Sequence, residues 1–255
     1  MNKAEKLADL RHSLRRYGLP PDLPALSLGM EGLDAVLGGG LVPGALHEVH
    51  AADWGAAGFA ACLALRAAGN KPLFWVRPDY EALEYGEVSP LGLLELGGRP
   101  ERLIRLCAPH VPEALAASAD ILSCAAVGAL VLELAGNPKS LDLVATRRLA
   151  FAAADSGVTL VMLRQGAAEM PSAALTRWRV ESRSSQAGDE WGLPTFHAEL
   201  LRHRQGGIGA WTLQWDPNHG RFQQPASAQE HAPYPVAVAA APSHRPVDPA
   251  FARAG

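Results

Sequence analysis

Residues 26–50 read Leu-Ser-Leu-Gly-Met-Glu-Gly-Leu-Asp-Ala-Val-Leu-Gly-Gly-Gly-Leu-Val-Pro-Gly-Ala-Leu-His-Glu-Val-His. The spacing predicts a short helix over 30–37, a turn at Gly38-Gly39-Gly40, a second turn at Pro43-Gly44 and a strand over 45–50. A strand of this kind opens a βα unit, and the loop after it decides what the unit can hold. A phosphate-binding loop needs G-x-x-x-x-G-K-[ST] at that point. The chain instead continues Ala51-Ala52-Asp53-Trp54-Gly55-Ala56-Ala57-Gly58-Phe59-Ala60.

No shift of register restores the motif. The four lysines are Lys3, Lys6, Lys71 and Lys139, and none follows a glycine. In such a loop the lysine ammonium neutralises the β- and γ-phosphates, and the Ser/Thr hydroxyl ligates Mg²⁺. Phe59 can do neither, and Asp53 repels a phosphate. Backbone N–H groups at the helix N-terminus are the one remaining means of holding an anion there. The region Asp53, Trp54, Gly55, Gly58 and Phe59 therefore reads as a degenerate phosphate loop, with no cofactor and no metal. Trp54 either fills the vacated pocket or anchors a partner.

Working outward, strand and helix alternate. Strands are expected over 72–76, 103–106, 129–134 and 159–163, with helices over 58–68, 112–127 and 141–155 and short helical pieces up to residue 96. The runs 129–134 and 159–163 are almost wholly apolar, as suits the middle of a parallel sheet covered on both faces. The βαβ rhythm predicts a doubly wound, mostly parallel sheet. After Arg164 the pattern changes to alternation over 174–182, 196–203 and 210–215, separated by glycines, which predicts antiparallel edge strands. The chain divides into an N-terminal amphipathic helix and linker (1–25), a core (26–222) and a Pro/Ala-rich tail expected to be disordered (223–255).

Composition narrows the function class. At 255 residues and 48% hydrophobic the chain can bury one sizeable core, and a formal net charge of −3 advertises no global attraction to nucleic acid or membrane. Cys62, Cys107 and Cys124 have no C-x-x-C spacing, which argues against a structural zinc and fits a reducing cytoplasm. No apolar run reaches the length of a membrane span, and the charged N-terminus does not read as a signal peptide. His47-Glu48-Val49-His50 imitates a metal motif, but i and i+3 on a strand point to opposite faces.

The Gly-x-x-x-Leu-Asp, Gly-Gly-Gly-Leu and Pro-Gly elements of 26–49 resemble the entry to RecA/RadA-type recombinase domains. With the lysine loop missing, the chain most closely resembles the ImuA family of RecA-like proteins. The run Phe196-His197-Ala198-Glu199-Leu200-Leu201-Arg202-His203-Arg204 and the Gly-rich turn before Trp211-Thr212-Leu213-Gln214-Trp215 extend the likeness over about residues 26–222. The resemblance implies a non-catalytic accessory role in damage-induced translesion synthesis. Its implied partners are a Y-family polymerase-like subunit and a DnaE-type error-prone polymerase. It also implies kinship with a damage-induced cell-division inhibitor.

Further residues match RecA positions. Glu133, at the end of an apolar strand, falls at the Walker B acid, and Asp79 near the acid that activates water. Glu133 reads either as a relic that hydrogen-bonds a neighbouring loop or helix or as the acid of a divergent DNA-dependent ATPase. Leu7, Leu10 and Leu14 form a helical stripe expected to pack on the core or to dock on a partner or a second copy. Arg177, Arg179 and Arg183 alternate along a strand around Trp178 and read either as a DNA-contacting face or as a solvated one balanced by Glu181, Asp189, Glu190 and Glu199.

Overall fold

The computed structural model describes residues 23–185 and 192–225. Its centre is a nine-stranded sheet: β1 Leu46–Ala51, β2 Leu73–Pro78, β3 Leu103–Ala108, β4 Ala129–Ala135, β5 Thr159–Gln165, β6 Thr176–Arg183, β7 Thr195–His203, β8 Gly209–Asp216 and β9 Arg221–Gln223. The order is β3-β2-β4-β5-β1-β6-β7-β8-β9. The six strands from β3 to β6 pair in parallel, and the last three add antiparallel. The expected α/β sheet with an antiparallel C-terminal edge is thus present.

Among the described residues six α-helices dress the sheet: α1 Glu31–Val36, α2 Ala57–Ala68, α3 Asp79–Tyr85, α4 Pro90–Glu95, α5 Val111–Leu122 and α6 Leu143–Ser156. Helix α2 packs on β4 and β5 from one side, while α5 and α6 cover β2, β4, β5 and β1 from the other. Covered on both faces, β4 and β5 are buried almost end to end, which is why their sequences are near-continuously apolar. One core layer gathers Phe59, Leu63, Trp178, Trp215 and Phe222; the opposite layer gathers Leu46, Leu130, Leu132, Leu160 and Met162.

The entry segment folds as its glycines demand. Leu26 and Leu41 exchange backbone hydrogen bonds at 2.8 Å each, closing the loop that carries α1. Gly38, Gly39 and Gly40 all have positive φ, and a Cβ on Gly40 would strike the Leu26 carbonyl. Asp34 ties α1 back to this loop: its carboxylate accepts from Leu28 N at 2.8 Å and from Ser27 Oγ at 2.6 Å.

Several boundaries differ from expectation. Helix α5 stops at Leu122 rather than Val127, because Cys124–Val127 turns back and Gly128 packs against Ala68, where a Cβ would meet the Ala68 carbonyl oxygen at 2.6 Å. Strands β2 and β5 run two residues further than their apolar cores, to Pro78 and Gln165. Strand β9 is additional, and the expected boundary at 222/223 falls inside it. Residues 1–22 and 226–255, which hold the Leu7, Leu10, Leu14 stripe and nearly all of the tail, lie outside the described residues. Among the described residues no helix is long and apolar enough to cross a membrane.

Candidate functional site

The degenerate loop is organised around Asp53. Its carboxylate caps the 3-10 turn Trp54–Ala56: Oδ1 accepts from Ala56 N at 2.9 Å and from Ser182 Oγ at 2.8 Å, and Oδ2 accepts from Ser182 N at 2.8 Å. Partial burial pushes the Asp53 pKa up, but the hydrogen bonds from Ser182, Ala56 and Gly55 outweigh it and hold the group below the ordinary carboxylate range. Gly55 is required by this closure, since a Cβ there would come within 2.8 Å of Ser182 Oγ. Where a phosphate loop presents N–H groups to a ligand, this chain turns one of them onto its own carboxylate.

Phe59 and Trp54 take different roles. Phe59 is fully buried and stacks on Phe222 at 5.3 Å between ring centroids, with Trp178 and Phe196 as further ring neighbours. It anchors α2 to the sheet. Trp54 does not fill a pocket: it is 57% exposed and lies against Tyr85, with ring centroids 4.2 Å apart. The two rings form part of the rim of an open cleft of about 760 Å³, lined by Gly55, Gly58, Trp75, Arg77, Glu133 and Gln165 among others. A cleft at the carboxyl ends of parallel strands is where open α/β sheets hold ligands.

Glu133 lines the same cleft as Gly55 and Gly58. Its Oε2 accepts from Trp75 Nε1 at 2.7 Å and lies 3.8 Å from Arg77 Nη1. The partner is thus a side chain of the adjacent strand β2, not a loop or helix. Asp79 opens α3 on the exposed side of Pro78 and does not line the cleft. Arg77 lines it instead, and its Nη2 donates to the Glu81 carbonyl at 2.6 Å.

The arginine triplet does not form one outward face. Arg177 is buried, with Nε donating to Glu48 Oε2 at 2.9 Å; its guanidinium also reaches Ser172 Oγ at 3.0 Å. Arg179 is exposed between Glu169 and Glu199, and Arg183 pairs with Glu181 at 3.0 Å. The alternation placed Arg177 with its neighbours, but it took no account of a buried acid on β1. That acid, Glu48, is fully buried and also meets Arg164 Nη1 at 3.4 Å, His50 Nε2 at 3.4 Å and the Ser172 hydroxyl at 2.7 Å. Burial drives the Glu48 pKa up, but His50, Ser172 and Arg177 more than offset it and bring it down to about 2. Arg164 also donates to Gly136 O and Asn137 Oδ1, so one ionic cluster pins the loops after β4 and β5.

His47 and His50 do not assemble a metal site. His47 is buried and bonded through Nδ1 to Thr176 Oγ1 at 2.8 Å and through Nε2 to Val42 O at 2.9 Å. Among the described residues no cluster of His, Cys, Asp and Glu could hold a metal ion.

Neither a protein-family model nor a curated protein matches this chain. Among solved structures it is similar to the crystal structure of the RadB recombinase, at 20% identity and a TM-score of 0.51, covering 75% of this chain and 96% of that one. At that identity the likeness concerns the fold alone. The protein has a RecA-like α/β fold, with the antiparallel edge the sequence predicts.

Proposed function

We propose that this chain is a non-catalytic RecA-like adaptor in damage-induced, error-prone translesion synthesis. It binds a polymerase-like subunit of the Y family and, through it, a DnaE-type error-prone polymerase. The observation that carries this reading is Asp53: in the loop that leads from β1 into α2, an internal carboxylate takes Ala56 N–H and clasps Ser182. No lysine stands in the loop to neutralise a triphosphate. A fold that has dropped its phosphate chemistry while retaining its core is suited to presenting surfaces. Trp54 with Tyr85 is one such surface; the Leu7, Leu10, Leu14 stripe, outside the described residues, is a second expected from the sequence.

Co-purification tests it. The full chain, tagged and recovered from cells after DNA damage, brings down a polymerase-like subunit that survives nuclease treatment. Recovery of the chain alone, or of DNA lost on nuclease treatment, removes the adaptor reading. The competing reading is a divergent ATPase served by Glu133. ATP would then raise the thermal midpoint, since a ligand at about a hundred times its Kd adds roughly 2.7 kcal/mol to the native state. That rise would disappear in Glu133→Gln.

A further inference from the structure

Helix α2 runs from the degenerate loop to a second, smaller pocket at its other end, about 18 Å away at 1.5 Å per residue. This pocket, of about 280 Å³, is walled by the last turn of α2, the start of β2 and the turn that leads into β3. Four cations line it, Arg66 and Lys71 from the α2 side and Arg99 and Arg102 from the turn before β3. Among the described residues no carboxylate lines it. In a chain of net charge −3, such a concentration of positive charge is a local feature and not a reflection of composition.

The four cations are not spent on acids. Arg102 Nη1 donates to the Asn70 carbonyl and, at 3.1 Å, to Asn70 Oδ1; Asn70 lines the same pocket, so this guanidinium is held at its wall. Arg66 Nε donates to Ser27 O at 2.9 Å, and Lys71 Nζ leans out to Ala125 O at 2.9 Å, neutral partners that leave both charges uncompensated. Arg99 is exposed and makes no hydrogen bond or ion pair with the described residues. The nearby acids do not supply the balance. Glu95 and Glu101 are exposed and outside the lining, Asp34 accepts from Ser27 and Leu28, and Asp216 meets His219 Nδ1 at 2.5 Å. The carbonyls that end α2 contribute only about half a negative charge.

The backbone that carries Arg99 is fixed. Trp215 Nε1 donates to Leu96 O at 2.9 Å, and Gly97 lies so close to the Pro217 carbonyl that a Cβ would collide with it. A Cβ on Gly98 would meet Leu65 and Leu93 at 2.8 Å. The positive charge is therefore assembled before any ligand arrives, which lowers the cost of binding one. Guanidinium forks match the oxygens of a phosphate, and a phosphate monoester brings about −1.5 to −2 charge where a carboxylate brings one. The volume lies just under the roughly 300–1,000 Å³ of sites that enclose drug-sized ligands, so it suits a single small anion rather than a nucleoside triphosphate.

We propose that this pocket binds one phosphate group, carried either by free phosphate or by the terminal phosphate of a nucleic-acid strand. Arg99 and Arg102 supply the charge-assisted hydrogen bonds, and Arg66 and Lys71 add to the field around them. The site goes beyond the adaptor reading and does not depend on it.

Calorimetric titration of the full chain at pH 7.5, with ionic strength held constant by chloride, tests the site. Inorganic phosphate should bind with Kd near or below about 1 mM, and acetate about tenfold more weakly or worse. Arg99→Ser and Arg102→Gln, each checked for folding by circular dichroism, should weaken phosphate binding about fivefold or more. Arg105→Ala, an exposed cation paired with Glu87 outside the pocket, should leave it unchanged. A thymidine trinucleotide with a 5′-phosphate, set against its 5′-hydroxyl form, distinguishes the sources. Tighter binding of the phosphorylated strand than of phosphate, lost in both variants, assigns a strand end; binding of phosphate alone assigns the free ion. The site is overturned if phosphate binds no more tightly than about 10 mM, or if both variants bind like the parent. Acetate equal to phosphate would point to an acidic protein segment, and a 5′-hydroxyl strand equal to the phosphorylated one to a nucleic-acid backbone; either result overturns the assignment.

Discussion

Glu48 on β1 and Arg177 on β6 form a buried ion pair, 2.9 Å between Nε and Oε2, across 129 residues of sequence. Arg164 and the Ser172 hydroxyl reach the same carboxylate from other sides. Removing one member leaves its partners charged in a dry interior, which costs about 3–5 kcal/mol. Arg177→Ala is therefore expected to lose most of that amount in urea unfolding. Arg179→Ala, two residues along but exposed between two glutamates, should change stability by about 0–1 kcal/mol. Equal losses in the two variants would contradict the assignment of Arg177 to the core.

Two fully buried groups, His47 and Glu48, contribute to the acid limb of stability with the same sign. His47 is lowered from 6.5 to about 4, first by burial and further by the charge of His203, against the raising effect of the Val42 hydrogen bond. Its neutral form belongs to the fold, so the unfolded chain binds the proton first. This contribution is complete above pH 6.5 and is lost as pH falls from there toward 4. Glu48, lowered from 4.5 to about 2, adds a second loss that begins near pH 4.5 and runs toward pH 2. Urea midpoints measured from pH 7.5 to 3 should decline from about pH 6.5 in the parent and hold to lower pH in His47→Gln, from a lower starting level.

How much of this was legible beforehand depends on the range of the interaction. The continuous apolar runs of β4 and β5, the glycine turn before β1 and the alternation of β6 to β8 are local, and they placed nearly every strand. In the sequence Glu48 stands out only as part of a mock metal motif, because its arginines lie 116 and 129 residues away and no periodicity links them. The sequence alone presents Asp53 only as a group hostile to phosphate. Its actual partner, Ser182, also lies 129 residues off. Strand β9 has three residues, too few for alternation to register.

Asp53→Ala removes the cap of the 3-10 turn and both bonds to Ser182. A loss of about 1–2 kcal/mol is expected, the usual cost of deleting a capping side chain. The folded pKa of Asp53 is depressed, so its contribution is present above the ordinary value of 3.8 and fades as pH falls below it. The deficit of the variant should therefore shrink in acid. A deficit that is constant with pH would assign the effect to packing rather than to the carboxylate.

Thiol chemistry separates the three cysteines. Cys62 is buried in α2, and burial raises its pKa well above the ordinary thiol value. Cys107 and Cys124 are exposed. An aromatic disulfide reagent at pH 8 should titrate two thiols in the native protein and the third only on unfolding. Burial, with Glu87 and Asp79 nearby, raises the Cys107 pKa as well, so raising the pH should speed its reaction.

The clasp of Asp53 on Ser182 also bears on timing in the cell. A switch protein of this architecture tells its partners whether a ligand is present, and its signal decays when the ligand is spent. Here the group that satisfies Ala56 N–H is covalently part of the chain, so it is present at every moment and at any level of energy charge. On the non-catalytic reading proposed above, such a protein would keep no clock. Whatever it assembles would be started by its synthesis and ended by its removal, and control would pass from turnover at a site to the number of copies made.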